Sequence, residues 1–396
     1  MDALLSRSSR LVREIPVFNK RYLYEKIAWK NRLIGIKGAR GIGKSTLLLQ
    51  KLKELNLPAN QASYWSLDDL FFTEFTLAET ATRFYNEGGR ILFLDEVHKY
   101  PGWSRHIKNL YDTYPNLQIV FTGSSIIDIA REEADLSRRV LMYSLAGMSY
   151  REYLLFRYNL ALPVLTIDDI IQTNSGWQAA FPSGFKPLEF FNEYLRQGYY
   201  PFSLEDPEGF PVRLQQVIRI IVEYDMASLE DFDIRNARKL LQLLYILSAN
   251  VPFKPNLSEL ARKSQIHRNT IGNYLHFLEQ AQLIRLLYPS GISVSALQKP
   301  EKILLNNTNL AFALAPGATD RGNLRETFFA AQLSVNHQVS LPNKGDFLVG
   351  DQWIFEIGGK TKGKTQIKDL PDSFVVADEL DYPVSVIPLW VFGMMY

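Results

Sequence analysis

Five short, nearly unbroken apolar runs mark the first 150 residues: RLIGIKG (32–38), SYWSLDD (63–69), RILFLDE (90–96), LQIVFTGSS (117–125) and RVLMYSLAG (139–147). Continuous apolar character, rather than strict alternation, predicts strands buried on both faces of a parallel sheet. Amphipathic segments separate the runs, so the predicted fold class is α/β: a three-layer domain with helices on both faces of the sheet. Residues 1–30 form a basic, partly helical lead-in. From Arg151 to about Asp225 the spacing turns helical, broken by LPVLTIDD, SGFKP and GYYPFSLEDPEGFP. Residues 235–288 are helical again, and the last ~70 residues return to short strands. The expected organisation is a core with its lead-in over 1–152, a helical lid over 153–225, a helix-turn-helix module with a wing over 226–315, and a small α+β domain over 316–396. No internal repeat or low-complexity tract interrupts it.

The first run leads into GARGIGKST, which fits G-x-x-x-x-G-K-[ST] through Gly38, Gly43, Lys44 and Ser45. Glycines let successive backbone N–H groups turn toward phosphate oxygens, and the helix that follows adds its N-terminal dipole. The expected phosphate cradle is Gly38, Ala39, Arg40, Gly41, Ile42, Gly43, Lys44, Ser45 and Thr46. Lys44 neutralises β/γ-phosphate charge, and the Ser45 hydroxyl ligates magnesium. An apolar strand before the loop and helical spacing in STLLLQKLKEL after it supply the required context. The third run ends in Asp95-Glu96, about 50 residues on. A strand-end Asp there holds magnesium, and the adjacent Glu can take a proton from attacking water. The expected ligands are therefore ATP and Mg2+, with Ser45 and Asp95 at the metal.

Ser124 and Ser125, ending the fourth run, are candidates to sense the γ-phosphate, Thr122 less so; either serine could equally cap a helix. Arg138-Arg139 precede the fifth strand and are either a surface pair or the source of an arginine that reaches a neighbouring subunit's γ-phosphate. In order, GARGIGKST, ILFLDEVHKYPGW, IVFTGSS, LSRRV, SYREYL (149–154) and YLRQGYYP (194–201) resemble a group of AAA+-type ATPases of bacteria and archaea that carry a C-terminal domain of unknown function. The resemblance covers most of the chain. It implies the additional-strand P-loop fold, with the sensor strand between the loop strand and the Asp95 strand, and it singles out Arg139. The second motif usually has two adjacent glycines before its aromatic residue; here Gly198-Tyr199 keeps one.

In the second half, NLSELARKSQIHRNTIGNYLHFLEQAQLI predicts two helices and a turn, with IRLLYP beginning a wing. Such a module offers Arg268, Asn269, Asn273 and His276 to a DNA major groove, or serves as a spacer that binds protein; its helix is otherwise poor in Lys and Arg. In the tail, Glu326, Asp346, Glu356 and Lys360 resemble the layout of PD-(D/E)xK nucleases, with Asp346 and Glu356 as a second candidate metal pair. EIGGK places two glycines between Glu356 and Lys360, which displaces the lysine, and Gln366 is a candidate start for the next helix. The alternative is a nuclease-like fold kept for structure.

Composition narrows the classes. The chain has no cysteine, which excludes disulfides, thiolate metal sites and cysteine nucleophiles. Its five histidines show no metal-ligand spacing, and a net charge of +2 points to no polyanionic partner. The opening MDALLSRSSRLVREIP lacks a signal-peptide pattern, and LLQLLYILSANV is too short to cross a bilayer. A cytoplasmic protein with no membrane contact and a possible homo-oligomer is the expectation. Three function classes follow: an ATPase switch or remodelling module acting on a protein or nucleic acid, an ATP-regulated nuclease, and a nucleotide-binding scaffold with negligible turnover. A small-molecule kinase is a fourth, but no acceptor pocket is legible.

Overall fold

The structure, a computed structural model, describes residues 1–16, 19–124, 136, 138–172, 176–226, 232–249, 256–291, 299–317, 319–383 and 386–396. The chain divides into two compact units, Met1–Ala146 and Gly147–Tyr396. The expected boundary at residue 152 thus falls six residues inside the second unit.

All five predicted strands of the first unit form: β1 (Leu33–Gly38), β2 (Ala62–Ser66), β3 (Ile91–Asp95), β4 (Gln118–Ser124) and β5 (Leu141–Ser144). They make one parallel sheet in the order β2-β3-β4-β1-β5, so β4 lies between the P-loop strand and the Asp95 strand as expected. Register brings Gly38 opposite Ser124, and Asp95 opposite Ser66, at one edge. In open α/β sheets this carboxyl edge is where ligands bind. The lead-in helix Asp2–Glu14 covers the outer side of β2: Leu4 enters the core, and Ser8 Oγ accepts from the Tyr64 backbone N–H at 2.9 Å. A free strand edge is thereby partnered.

In the second unit, the helices Tyr150–Tyr158 and Pro187–Gln197 share one buried cluster with the C-terminal strands; Tyr150, Tyr153, Phe191, Phe328, Phe355 and Trp390 all belong to it. The region expected as a lid therefore packs in the same core as the tail. Helices Ala237–Ala249, Leu257–Ser264 and Arg268–Gln280 follow, then an antiparallel pair, β6 (Ile284–Leu287) with β7 (Lys302–Leu305). The tail sheet runs β12-β11-β10-β9-β8 behind the helix Arg321–Leu333: β8 (Val339–Ser340), β9 (Phe347–Val349) and β10 (Trp353–Gly358) are antiparallel, and β11 (Ser373–Ala377) and β12 (Ile387–Pro388) add parallel to β10.

The two family-like motifs of this unit meet each other. Ser149 caps its helix in a reciprocal box with Glu152, while its hydroxyl donates to the Tyr396 carbonyl at 2.6 Å. Arg151 Nε donates to the same carbonyl at 3.0 Å. From the second motif, Tyr194 Oη donates to Met148 O at 2.8 Å, and the Met148 N–H donates to Tyr199 O at 2.8 Å. Gly198 sits at φ −83°, a conformation open to any residue, and Tyr199 is not at positive φ either. A second glycine is therefore not needed for the turn. The close approach occurs at Gly147, where a Cβ would lie 2.2 Å from the Tyr199 ring. Gly147→Ala is expected to cost about 1–3 kcal/mol of stability through overpacking, read as a lower urea midpoint at unchanged m-value.

Candidate nucleotide-binding site

Each glycine of the loop has a separate steric reason. Gly41 and Gly43 lie at φ 81° and 93°, where side-chain-bearing residues are strained. At Gly38 a Cβ would come within 2.5 Å of the Leu145 carbonyl oxygen. Gly43 precedes the helix Lys44–Leu55, so the helix N-terminus opens onto the loop. A buried arginine from the lead-in braces this turn: Arg21 Nη1 donates to Ile42 O at 2.5 Å and Nη2 to Ala146 O at 2.7 Å. Lys44 is buried, and its ammonium donates to the Gly38 and Ala39 carbonyls at 3.0 Å each. The lysine is thus held folded over the loop.

Asp95 is 2% exposed. Tyr64 Oη donates to its Oδ2 at 2.5 Å, and Thr122 Oγ1 donates to its Oδ1. The Ser45 side chain stands near the Tyr64 hydroxyl. Burial, then the Asp95 charge, pushes the Tyr64 phenol far above its ordinary pKa, so it stays a neutral donor. Tyr64, Asp95 and Thr122 therefore form one hydroxyl–carboxylate chain across β2, β3 and β4. Glu96 follows at φ 53°, ψ 42°, a left-handed conformation uncommon for a glutamate. Its N–H donates to Thr122 Oγ1 at 3.3 Å, and its Oε2 lies 3.3 Å from His98 Nε2. Strained non-glycine backbone of this kind concentrates at functional sites.

The fit to ATP with magnesium rests on these observations: a glycine loop at a helix N-terminus, a lysine folded over that loop, and a strand-end carboxylate held by hydroxyls from both neighbouring strands. Ser124 is buried at the end of β4, in register with Gly38. Ser125 lies outside the described residues. Arg139 sits elsewhere: β5 is parallel to β1, with Leu141 opposite Ile34, so Arg139 lies at the amino edge of the sheet, away from the loop. There its Nε and Nη2 pair with Asp112 at 2.8 and 3.0 Å.

The tail brings a second group together. Lys302 Nζ pairs with Glu326 at 2.9 Å, both side chains being 9% exposed. Burial raises the Glu326 pKa, the lysine opposes the rise, and the charges of Asp346 and Glu356 add to it. Asp346 Oδ2 accepts from the Ile357 N–H at 2.7 Å. Lys360 is exposed; Lys362, two residues on, reaches Glu356 Oε1 at 2.5 Å. With its amide turned to donate, Gln366 also bonds Glu356 at 2.6 Å. Among the described residues no three Asp, Glu or His side chains stand in metal-holding geometry. In the helix Arg268–Gln280, Ile271, Leu275 and Leu278 are buried while Arg268, Asn273 and His276 are exposed. The Asn269 side chain lies outside the described residues. Among the described residues no helix is long and apolar enough to cross a membrane.

Comparison with known proteins bears on the first unit most directly. Residues 30–154 match the family model described as AAA domain. This stretch is therefore similar to AAA domains. Residues 188–321 match a domain of unknown function, DUF8612. An uncharacterised protein of Methanocaldococcus jannaschii is 31% identical over 288 residues, covering 69% of this chain and 60% of that protein. A second from the same organism is 27% identical over 205 residues, covering 50% and 42%. The chain thus matches less than two thirds of the length of either relative. Among solved structures, AMPPCP-bound DnaA from Aquifex aeolicus is 15% identical, covering 70% of this chain and 88% of that one, with a TM-score of 0.28. The Saccharomyces cerevisiae Hsp104–ADP complex is 17% identical, covering 70% and 41%, with a TM-score of 0.32. Overlaps this loose assign nothing further.

Sequence reasoning passed over Tyr64, Arg21 and Lys362. A tyrosine inside an apolar strand looks like core. Arg21 stands in a basic lead-in with no motif. Lys362 is one of several lysines in KTKGKTQIK, and only the fold selects it.

Proposed function

We propose that the chain binds ATP with magnesium at Gly38–Thr46 and Asp95 and hydrolyses it, acting as a switch or remodelling ATPase on a protein or nucleic-acid partner. The supporting observation is the convergence of Lys44, Ser45, Asp95, Glu96 and Ser124 on the carboxyl edge of one parallel sheet inside the stretch similar to AAA domains. The loop N–H groups and Lys44 hold the phosphates, Ser124 contacts the γ-phosphate, and Glu96 accepts the proton of the attacking water. Magnesium, when bound, neutralises phosphate charge beside Ser45 and Asp95. The position of Arg139 on the far edge of the sheet fits a role toward a neighbouring copy rather than its own nucleotide. The exposed Arg268, Asn273 and His276 fit a winged-helix contact with DNA, with few phosphate contacts.

The tail fits a docking or fold-completing role better than a nuclease. Glu326 and Glu356 are each neutralised by a lysine, and Asp346 is committed to a backbone N–H.

Three outcomes check these assignments. Lys44→Ala should abolish binding of a fluorescent ATP analogue in a folded protein; unchanged affinity rejects the phosphate cradle. Glu96→Gln should retain the nucleotide and lose about 10²-fold or more in turnover, the typical range for a general base; normal turnover leaves Glu96 a structural residue. Purified protein should not nick DNA or RNA with added magnesium or manganese. Robust cleavage that disappears in Asp346→Ala, with ATPase intact, makes the tail a metal-dependent nuclease instead.

A further inference from the structure

Tyr64 carries a role that no motif assigns. It stands in the interior of β2, paired with Phe93 on β3, two positions short of the row where Ser66 faces Asp95. A strand advances roughly 3.3 Å per residue, so residues two apart share a face and stand about 6.6 Å apart. The phenol spans this offset and delivers its hydroxyl to Asp95 Oδ2 at 2.5 Å. The Ser45 side chain, at the start of the P-loop helix, stands near the same hydroxyl. The hydroxyl therefore braces the carboxylate that, with the nearby serine, flanks the metal position in the ATP–Mg reading. Its placement is rigid: Tyr64 is 8% exposed, and its backbone N–H is tied to Ser8 of the lead-in helix.

We propose that Tyr64 is a positioning residue for magnesium: its hydroxyl fixes the Asp95 carboxylate beside Ser45, so this ligand is preset before the metal arrives. The proposal rests on the ATP–Mg reading of this site. Tyr64 acts through Asp95, as partners behind metal ligands do, whose loss typically costs 10–100-fold in metal affinity. Thr122, on the other oxygen of Asp95, holds the carboxylate from the opposite side.

The test is a titration of a fluorescent ATP analogue at stepped magnesium concentrations, with an EDTA arm, on wild type and Tyr64→Phe. Phenylalanine keeps the ring and removes only the hydroxyl. The expected result is unchanged affinity in EDTA and a magnesium requirement for tight binding raised about 10-fold or more, with circular dichroism unchanged. Thr122→Val removes the other hydroxyl at similar volume; it should shift the requirement the same way, and it serves as the readout if Tyr64→Phe does not fold. Wild-type magnesium dependence in a folded Tyr64→Phe, or in Thr122→Val where that variant is the readout, overturns the proposal. Equal weakening with and without magnesium also overturns it, because that marks a general loss of site structure. A wild-type protein that binds no nucleotide, or binds it without magnesium dependence, fails the ATP–Mg reading itself, and the wild-type arm alone reveals this.

Discussion

A carboxylate cut off from water must be hydrogen-bonded or neutralised, or it costs several kcal/mol. Asp95 meets this demand with two hydroxyls from two other strands. Tyr64 comes from β2 and Thr122 from β4, so the charge can be buried only when β3 is in register with both neighbours. A slip of one residue would turn every side chain to the opposite face and strand the carboxylate. The same register sets Gly38 beside Ser124. One buried charge thereby ties the alignment of the sheet to the assembly of the candidate site, and a misaligned sheet would lose both.

The loop itself is satisfied without a ligand. Lys44 binds the carbonyls of Gly38 and Ala39, and Arg21 binds that of Ile42. The ammonium is buried but never without partners, which spares the desolvation cost of an unpaired cation. In the proposed ATP reading, phosphate would draw Lys44 away from two carbonyls, so binding would exchange hydrogen bonds rather than only add them. Arg21 holds the turn from outside the loop and keeps its shape through that exchange.

Much of the first unit was legible because its constraints are local. Strands buried on both faces must be continuously apolar, and a phosphate loop needs glycines at fixed spacing before a helix. All five strands fall where those runs lie. What was illegible depended on partners remote in sequence. Tyr64 has the same apolar setting as Trp65, and only the position of Asp95 gives its hydroxyl a task. The sequence did not disclose which sheet edge Arg139 takes; strand direction puts it at the edge opposite the loop. In the tail the spacing of EIGGK pointed to Lys360, whereas the turn presents Lys362 to Glu356. The helices of 150–197 had the periodicity of a lid, and periodicity does not disclose what an apolar face packs against.

The clasp around Ser149 has a consequence for how the chain is made. Its hydroxyl and the Tyr396 carbonyl are 247 residues apart in sequence. The first unit closes its sheet among residues 33–144, so it can complete its contacts soon after those residues leave the ribosome. The second unit cannot: Tyr150, Tyr153 and Phe191 emerge early, while Phe328, which packs on Phe191, and Phe355 and Trp390 of the same cluster emerge last. During synthesis at about 5–20 residues per second, those early aromatic faces remain uncovered for on the order of ten seconds or more. In that interval the nascent chain presents an already folded first unit beside a long sticky stretch, the form in which chaperones and aggregation compete for it.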